Sequence, residues 1–423
     1  MKRQLLNRLV MANLLLMPLC GSAFAADQAS GDQADLIKRG EYLSRAGDCM
    51  ACHSVPGKPD YAGGLPIKSD LGVIYSTNIT PDKNVGIGNY TEEQFSDAVR
   101  EGIRADGSHL YPAMPYPDYA KVNDEDIKAL YAYFMHGVKA SDYQPPKTDL
   151  SFPFSQRWGM MFWNWTFGND DGFEPIKGAS DEVNRGAYLV EGLGHCGSCH
   201  TPRGVGMQEK AYDHTDEDFL AGGDLNGWPV PPLRGIAHWT KQEIIDYLQT
   251  GRNDKAGVGG EMTSVVYNST SHMTDEDAAS IAAYIKHLAG DDKPAAVDAA
   301  KAQATTDKLT SAKDLTLGER LYIDNCAACH FVDGKGAAKA FPQLDGASIV
   351  NADSPDGLIN VILKGAQLPS TEKAPSELKM PGFAHRLDDN EVAMLASFIR
   401  SGWNNNAPGV TAEDVKKVRE SLE

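Results

Sequence analysis

The sequence predicts a mainly α-helical protein built as three small units in series, and three observations predict it. The chain is long, one five-residue pattern occurs three times along it, and each copy has similar helix signatures before and after it. At 423 residues it is several times the usual domain length, so a string of small domains is expected in preference to one large core. A hydrophobic fraction of 42% and an aromatic fraction of 8% suit folded, soluble material. The expected boundaries are a leader at 1–25, a first unit at 26–140, an aromatic connector at 141–178 and a second unit at 179–291. A flexible linker at 292–312, a third unit at 313–403 and a polar tail at 404–423 complete the division.

The leader has the marks of an export signal. Lys2, Arg3 and Arg8 are basic, Leu9 to Leu19 is mostly apolar, and Ala23-Phe24-Ala25 offers small residues for cleavage, so the mature chain is expected to begin at Ala26. An uncleaved anchor is disfavoured because the apolar run is too short to span a bilayer. Cys20 leaves with the leader, and Leu19 before it is unlike a lipid-attachment site. The formal charge of −18 repels phosphate backbones, which excludes nucleic acid as an expected partner.

Six cysteines remain, all in the repeated pattern: Cys49-Met50-Ala51-Cys52-His53, Cys196-Gly197-Ser198-Cys199-His200 and Cys326-Ala327-Ala328-Cys329-His330. In Cys-x-x-Cys-His, two thiols about one helical turn apart add to the vinyl groups of one haem, and the adjacent imidazole reaches the iron. A dithiol redox pair does not require the trailing His, and a zinc site usually takes four ligands from paired motifs. Disulfides are a poor reading of two-residue spacings repeated three times. Three covalent haem c groups are therefore expected, with His53, His200 and His330 as proximal ligands.

Each cluster follows a short helix. Gly40-Glu41-Tyr42-Leu43, Gly186-Ala187-Tyr188-Leu189 and Gly318-Glu319-Arg320-Leu321-Tyr322 begin eight to ten residues before the first Cys. Downstream lie three amphipathic helices, Asp126 to Phe134, Asp277 to Ile285 and Glu391 to Ile399. Each carries apolar or small residues one, four, seven and eight places after its acid. Tyr133, Tyr284 and Phe398 share one offset in this pattern. The reading is structural: the glycine lets the later helix cross closely, and the aromatic fills the contact.

Together these features resemble the class I cytochrome c domain, three times over. In that family the sixth iron ligand is a Met before the last helix, which points to Met114, Met262 and Met380. They follow their histidines by 61, 62 and 50 residues. Met135 lies inside a helix and Met273 abuts the apparent cap Thr274, so Met114 and Met262 are preferred; His385 is a distant rival to Met380. Three six-coordinate irons leave no open site for a substrate, which implies electron transfer.

The wider order is similar to that of the triple-haem cytochrome subunits of bacterial membrane-bound dehydrogenases. Gly63-Gly64-Leu65-Pro66, Ile74 to Asp82, Leu110 to Pro117, Ala129 to Val138 and His195 to Gly204 carry this resemblance, which covers nearly all of the mature chain. It implies a non-catalytic subunit on the periplasmic side of the inner membrane, peripherally attached. Such a subunit takes electrons from a large catalytic partner bearing FAD or pyrroloquinoline quinone, with a small subunit beside it, and delivers them to ubiquinone. A gluconate 2-dehydrogenase-like partner is favoured. The rival readings are a haem enzyme with one open iron, and a free soluble shuttle.

The connector from Phe152 to Phe173 is rich in Phe and Trp, and is read either as packing between units or as an interfacial membrane or partner contact. His109, His136, His214 and His238 are expected to be surface or structural residues. Asn78, Arg203 and Arg234 are read as either haem-propionate contacts or ordinary surface residues.

Overall fold

The computed structural model of the protein describes residues 21–225, 228–236, 238–290 and 297–422, with side chains from residue 31 onward. The expected leader lies outside the described residues at 1–20, so the export reading stays a sequence expectation.

Each unit is a leading helix, a short helix bearing the cysteine cluster, an intervening helix and a closing helix. In the first unit these are Gly21–Ala46, Cys49–His53, Glu92–Arg100 and Asp124–His136. In the second, Asp181–Tyr188 runs on through one wider turn at Leu189–Leu193, followed by Gly197–His200, Lys241–Thr250 and Asp275–Ala289. The third has Leu317–Asn325, Ala327–His330, Asp356–Lys364 and Asp389–Ser401. The closing helices start where side chains meet free backbone N–H groups. Asn123, Thr274 and Asp388 accept from the N–H groups of Asp126, Asp277 and Glu391.

The predicted close crossing of leading and closing helices is present in every unit. A Cβ on Gly40 would stand 2.0 Å from the Ala129 carbonyl oxygen and 2.6 Å from Tyr133 Cβ. On Gly186 it would stand 1.9 Å from the Ser280 oxygen, and on Gly318 2.3 Å from that of Met394, with Tyr284 and Phe398 alongside. No side chain fits there, so backbone meets backbone and the aromatic ring fills the flank.

Among the described residues strand is confined to small antiparallel pieces: Pro66–Ser69 with Gly72–Tyr75 and Asp149–Leu150, Gly223–Leu225 with Trp228–Val230, and Ala366–Leu368 with Leu378–Met380.

The first two units share one hydrophobic core, in which Leu43, Phe95 and Phe134 of the first join Leu189, Leu193, Phe219 and Tyr284 of the second. The joint is reciprocal. Arg39 pairs with Asp126 at 2.6 Å, and Tyr188 of the other unit donates to the same carboxylate at 2.6 Å. Arg185 pairs with Asp277 at 2.7 Å, and Tyr42 of the first unit donates to it at 2.5 Å. The third unit has its own core around Tyr322, Leu363, Leu395 and Trp403. It meets the second through a small cluster of Val258, Val266 and Leu368, and through polar contacts such as Lys339 with Asp246 at 2.6 Å.

The stretch expected as a flexible linker is largely a helix, Ala299–Ser311. Its alanines favour helix, Asp298 caps it, Leu309 is buried in the third core and Lys308 binds the Glu319 carboxylate at 2.8 Å. The tail likewise packs down: Ala412–Ser421 buries Val415 and Val418 against the third unit, and Arg419 holds Asp389 at 2.7 Å. In both stretches sparse apolar residues on a polar background define a docked face that composition hides.

Candidate haem-binding sites

The three clusters are built alike. Each pair of cysteines spans about one turn next to or within a short helix, with the histidine at its end. In every cluster the imidazole Nδ1 lies against a backbone carbonyl: His53 against Thr77 at 2.6 Å, His200 against Pro231 at 2.8 Å, His330 against Pro342 at 2.8 Å. A carbonyl only accepts, so Nδ1 carries the hydrogen and Nε2 keeps its lone pair. Burial pushes all three imidazoles below their ordinary value, which favours the neutral, ligating form.

The loop that supplies each carbonyl is pinned to the cluster from the other side. Gly63, Gly222 and Gly336 donate to the His53, His200 and His330 oxygens at 2.7, 2.7 and 3.2 Å. Burial raises the Cys49, Cys196 and Cys326 thiols to about 12 and those of Cys52 and Cys199 to about 11, so they are held as thiols. Two thiols and one free imidazole nitrogen, three times over, are the donor set that haem c attachment needs.

The methionines occupy different settings. Met114 lies in a turn against the shared core, Met262 opens the helix Met262–Asn268 beside the cluster between the second and third units, and Met380 sits in a strand opposite Ala366. Met273 is buried in the shared core and Met135 lies within the closing helix of the first unit. The first and second clusters face a common region, with Cys52 near Cys199 and Glu261 near both.

The residues read as either propionate contacts or surface residues have structural partners. Asn78 is buried and donates to the Ser141 and Tyr143 carbonyls, while Arg234 donates to those of Phe219, His214 and Asp216. Arg203 reaches the Ser198 and Met207 carbonyls. His214 is also structural, paired with buried Glu191 at 3.0 Å. The connector divides its aromatics. Trp163 donates to Gly206 at 2.7 Å and Asn164 accepts from Tyr116 at 2.6 Å, whereas Phe152, Phe154, Trp158, Phe162 and Trp165 face outward.

The sequence reading passed over the paired acids of the joint and His195. The Arg-Gly-x-Tyr-Leu pattern at 39–43 and 185–189 was the available signal for the first. His195 stacks edge-on to Tyr119 with ring centres 5.4 Å apart, and burial lowers it to about 4, so it is a neutral part of the joint.

The family model for cytochrome c matches residues 37–137, 183–289 and 315–403. The chain is 46% identical over 410 residues to the cytochrome c subunit of the quinone alcohol dehydrogenase of Gluconobacter oxydans (strain 621H), covering 95% of this chain and 86% of that one. It is 44% identical over 420 residues to the gluconate 2-dehydrogenase cytochrome c subunit of Pantoea cypripedii, covering 96% and 94%. It is 39% identical over 415 residues to the fructose dehydrogenase cytochrome subunit of Gluconobacter japonicus, covering 90% and 82%. The chain belongs to the cytochrome c family, with three haem c groups, and within it to the cytochrome subunits of dehydrogenase complexes. Its work is electron transfer, and it performs no substrate chemistry of its own.

Proposed function

We propose that the chain relays electrons from the catalytic subunit of a membrane-bound dehydrogenase, acting on a sugar, sugar acid or alcohol, to ubiquinone on the periplasmic side of the inner membrane. The observation that carries this reading is the threefold imidazole geometry, in which each Nδ1 is tethered and each Nε2 is free beside two thiols. A haem iron held there stores and releases one electron at a time. His53 with Met114, His200 with Met262 and His330 with Met380 form the axial pairs, supported by their spacing and by loop or element-end positions clear of the helix interiors. The 46% and 44% identities to cytochrome c subunits of a quinone alcohol dehydrogenase and of a gluconate 2-dehydrogenase support a partner of one of these two kinds, with a gluconate-oxidising one taken first.

The outward aromatics of the connector support peripheral membrane attachment. From Trp158 to Gly168 there is no charged residue, and Trp158, Phe162 and Trp165 are 66%, 54% and 86% exposed. Rings of this kind settle at the headgroup level of a bilayer. Among the described residues no helix is long and apolar enough to cross a membrane.

The deciding experiment follows reduced haem c absorbance in native membranes after gluconate, sorbitol, fructose, ethanol or acetaldehyde, with a deletion strain as control. Reduction by gluconate that disappears in the deletion strain is the expected result. Reduction by another substrate alone replaces the partner, and reduction by none overturns the subunit reading.

A further inference from the structure

Where the first unit meets the second haem cluster, two acidic side chains are buried against each other. Asp118, from the short helix Tyr116–Tyr119 before the first unit's closing helix, is fully buried, and Glu209 of the second unit is 5% exposed. The two carboxyls lie close enough for each to act on the charge of the other. They also touch the variable positions of the cluster Cys196-Gly197-Ser198-Cys199-His200. Ser198 Oγ donates to Asp118 Oδ2 at 3.1 Å, and a Cβ on Gly197 would stand 2.6 Å from Glu209 Oε2. With both groups ionised, Asp118 Oδ1 and Glu209 Oε2 are buried acceptors that no donor reaches. One proton held between the carboxyls removes that cost, because a protonated carboxyl donates.

The surroundings cannot neutralise the pair fully. Among the described residues Arg203 is the cation paired with them, with Nη1 3.8 Å from Glu209 Oε1, and it is shared with the Ser198 carbonyl. Lys121 is committed to Asp213 at 3.4 Å. Tyr212, Tyr116 and Tyr119 complete the ring of titratable neighbours, with Cys196 and Cys199, and each is held neutral by burial. Burial also raises both carboxyls above their ordinary range.

We propose that Asp118 and Glu209 are a redox-linked proton site: the pair holds one proton while the haem on Cys196 and Cys199 is oxidised, and binds a second when that haem is reduced. This rests on the haem reading above. One electron delivered by the dehydrogenase partner to a ferric haem held on Cys196 and Cys199 would add one negative charge next to the pair, and one proton taken from solvent by Asp118 or Glu209 would offset it. On reoxidation the electron passes on and that proton returns. Electron flow through the second unit is thereby tied to pH; among the described residues the first cluster has a single buried carboxyl beside it, Asp48, and neither the first nor the third cluster has a pair against it.

The test is a spectroelectrochemical titration of the full haem-loaded protein between about pH 5 and pH 8. In the native protein the one-electron component of the second haem should lose potential with rising pH. A tenfold change in proton activity, converted at about 59 mV per decade, sets the greatest slope. Asp118→Asn and Glu209→Gln should each flatten that component and leave the other two as they were. Equal slopes in native protein and both variants overturn the proposal. Should the variants fail to take up haem, proton uptake on reducing the native protein in unbuffered solution decides instead: uptake that follows one component supports the site, and none overturns it. A protein without three haem c components defeats the haem reading itself, a separate outcome visible in the spectrum before any titration.

Discussion

At the scale of single residues, the chemistry of each cluster is set by what lies behind the histidine. Tethering Nδ1 to a loop carbonyl fixes the imidazole plane and the tautomer together, so the iron-facing nitrogen is chosen before any haem arrives. The other axial position is more local: Met262→Leu should turn one haem in three high-spin and open it to carbon monoxide, read by electron paramagnetic resonance and absorbance. An as-isolated protein that already has a high-spin haem would remove the three-methionine assignment. The crossing glycines are equally exacting, because what they approach is backbone and cannot swing aside. Gly186→Ala, aimed at the Ser280 oxygen, should cost about 1–3 kcal/mol, measured by denaturant unfolding.

At the scale of elements, the clusters and the helices flanking them were legible because their signals are local. Cys-x-x-Cys-His needs five consecutive residues, and a glycine and an aromatic at fixed offsets declare the crossing. What escaped was docking that depends on a few apolar side chains within polar segments. The helix Ala299–Ser311 reads as a linker by composition, yet Leu309 anchors it; Leu309→Ala should cost about 2–5 kcal/mol and lower the melting temperature of the third unit. The acids Asp118 and Glu209 escaped for another reason, since 91 residues separate partners that only the fold brings together. The connector escaped only in part. Its aromatic richness was visible, but not which rings turn inward. Replacing Phe152, Phe162 and Trp165 together with Ser should weaken sedimentation with phospholipid vesicles at least about a hundredfold, since each buried ring contributes about 1.5–3 kcal/mol. Haem content should be unchanged, because Trp163 keeps the helix in place.

At the scale of the whole molecule, one core for two units and another for the third predicts two thermal transitions by calorimetry. The larger one should be sensitive to acid. Burial pushes the Asp277 carboxyl up, but Arg185 and Tyr42 outweigh it and hold the group below its ordinary value. A depressed carboxylate contributes stability above its unfolded value of about 3.9, and that contribution is lost as pH falls through the folded value. The joint between the first two units should therefore loosen on acidification below about pH 4, and Asp277→Asn should lack that part of the dependence.

The tyrosines of that joint have a wider consequence. Tyr42 reaches Asp277 while Tyr188 reaches Asp126, so each unit offers its partner the same surface that it receives. That is the self-complementary contact of a twofold dimer, enclosed within one chain. Such a contact is complete at two members and has no free end from which to grow. In the third unit Arg320 stands two places after the crossing glycine, where the others have tyrosine, so this unit lacks the group that would make a third copy of the handshake. It attaches through a different and more polar surface, and the chain is accordingly a closed pair with an appended member, not a filament of three equal links.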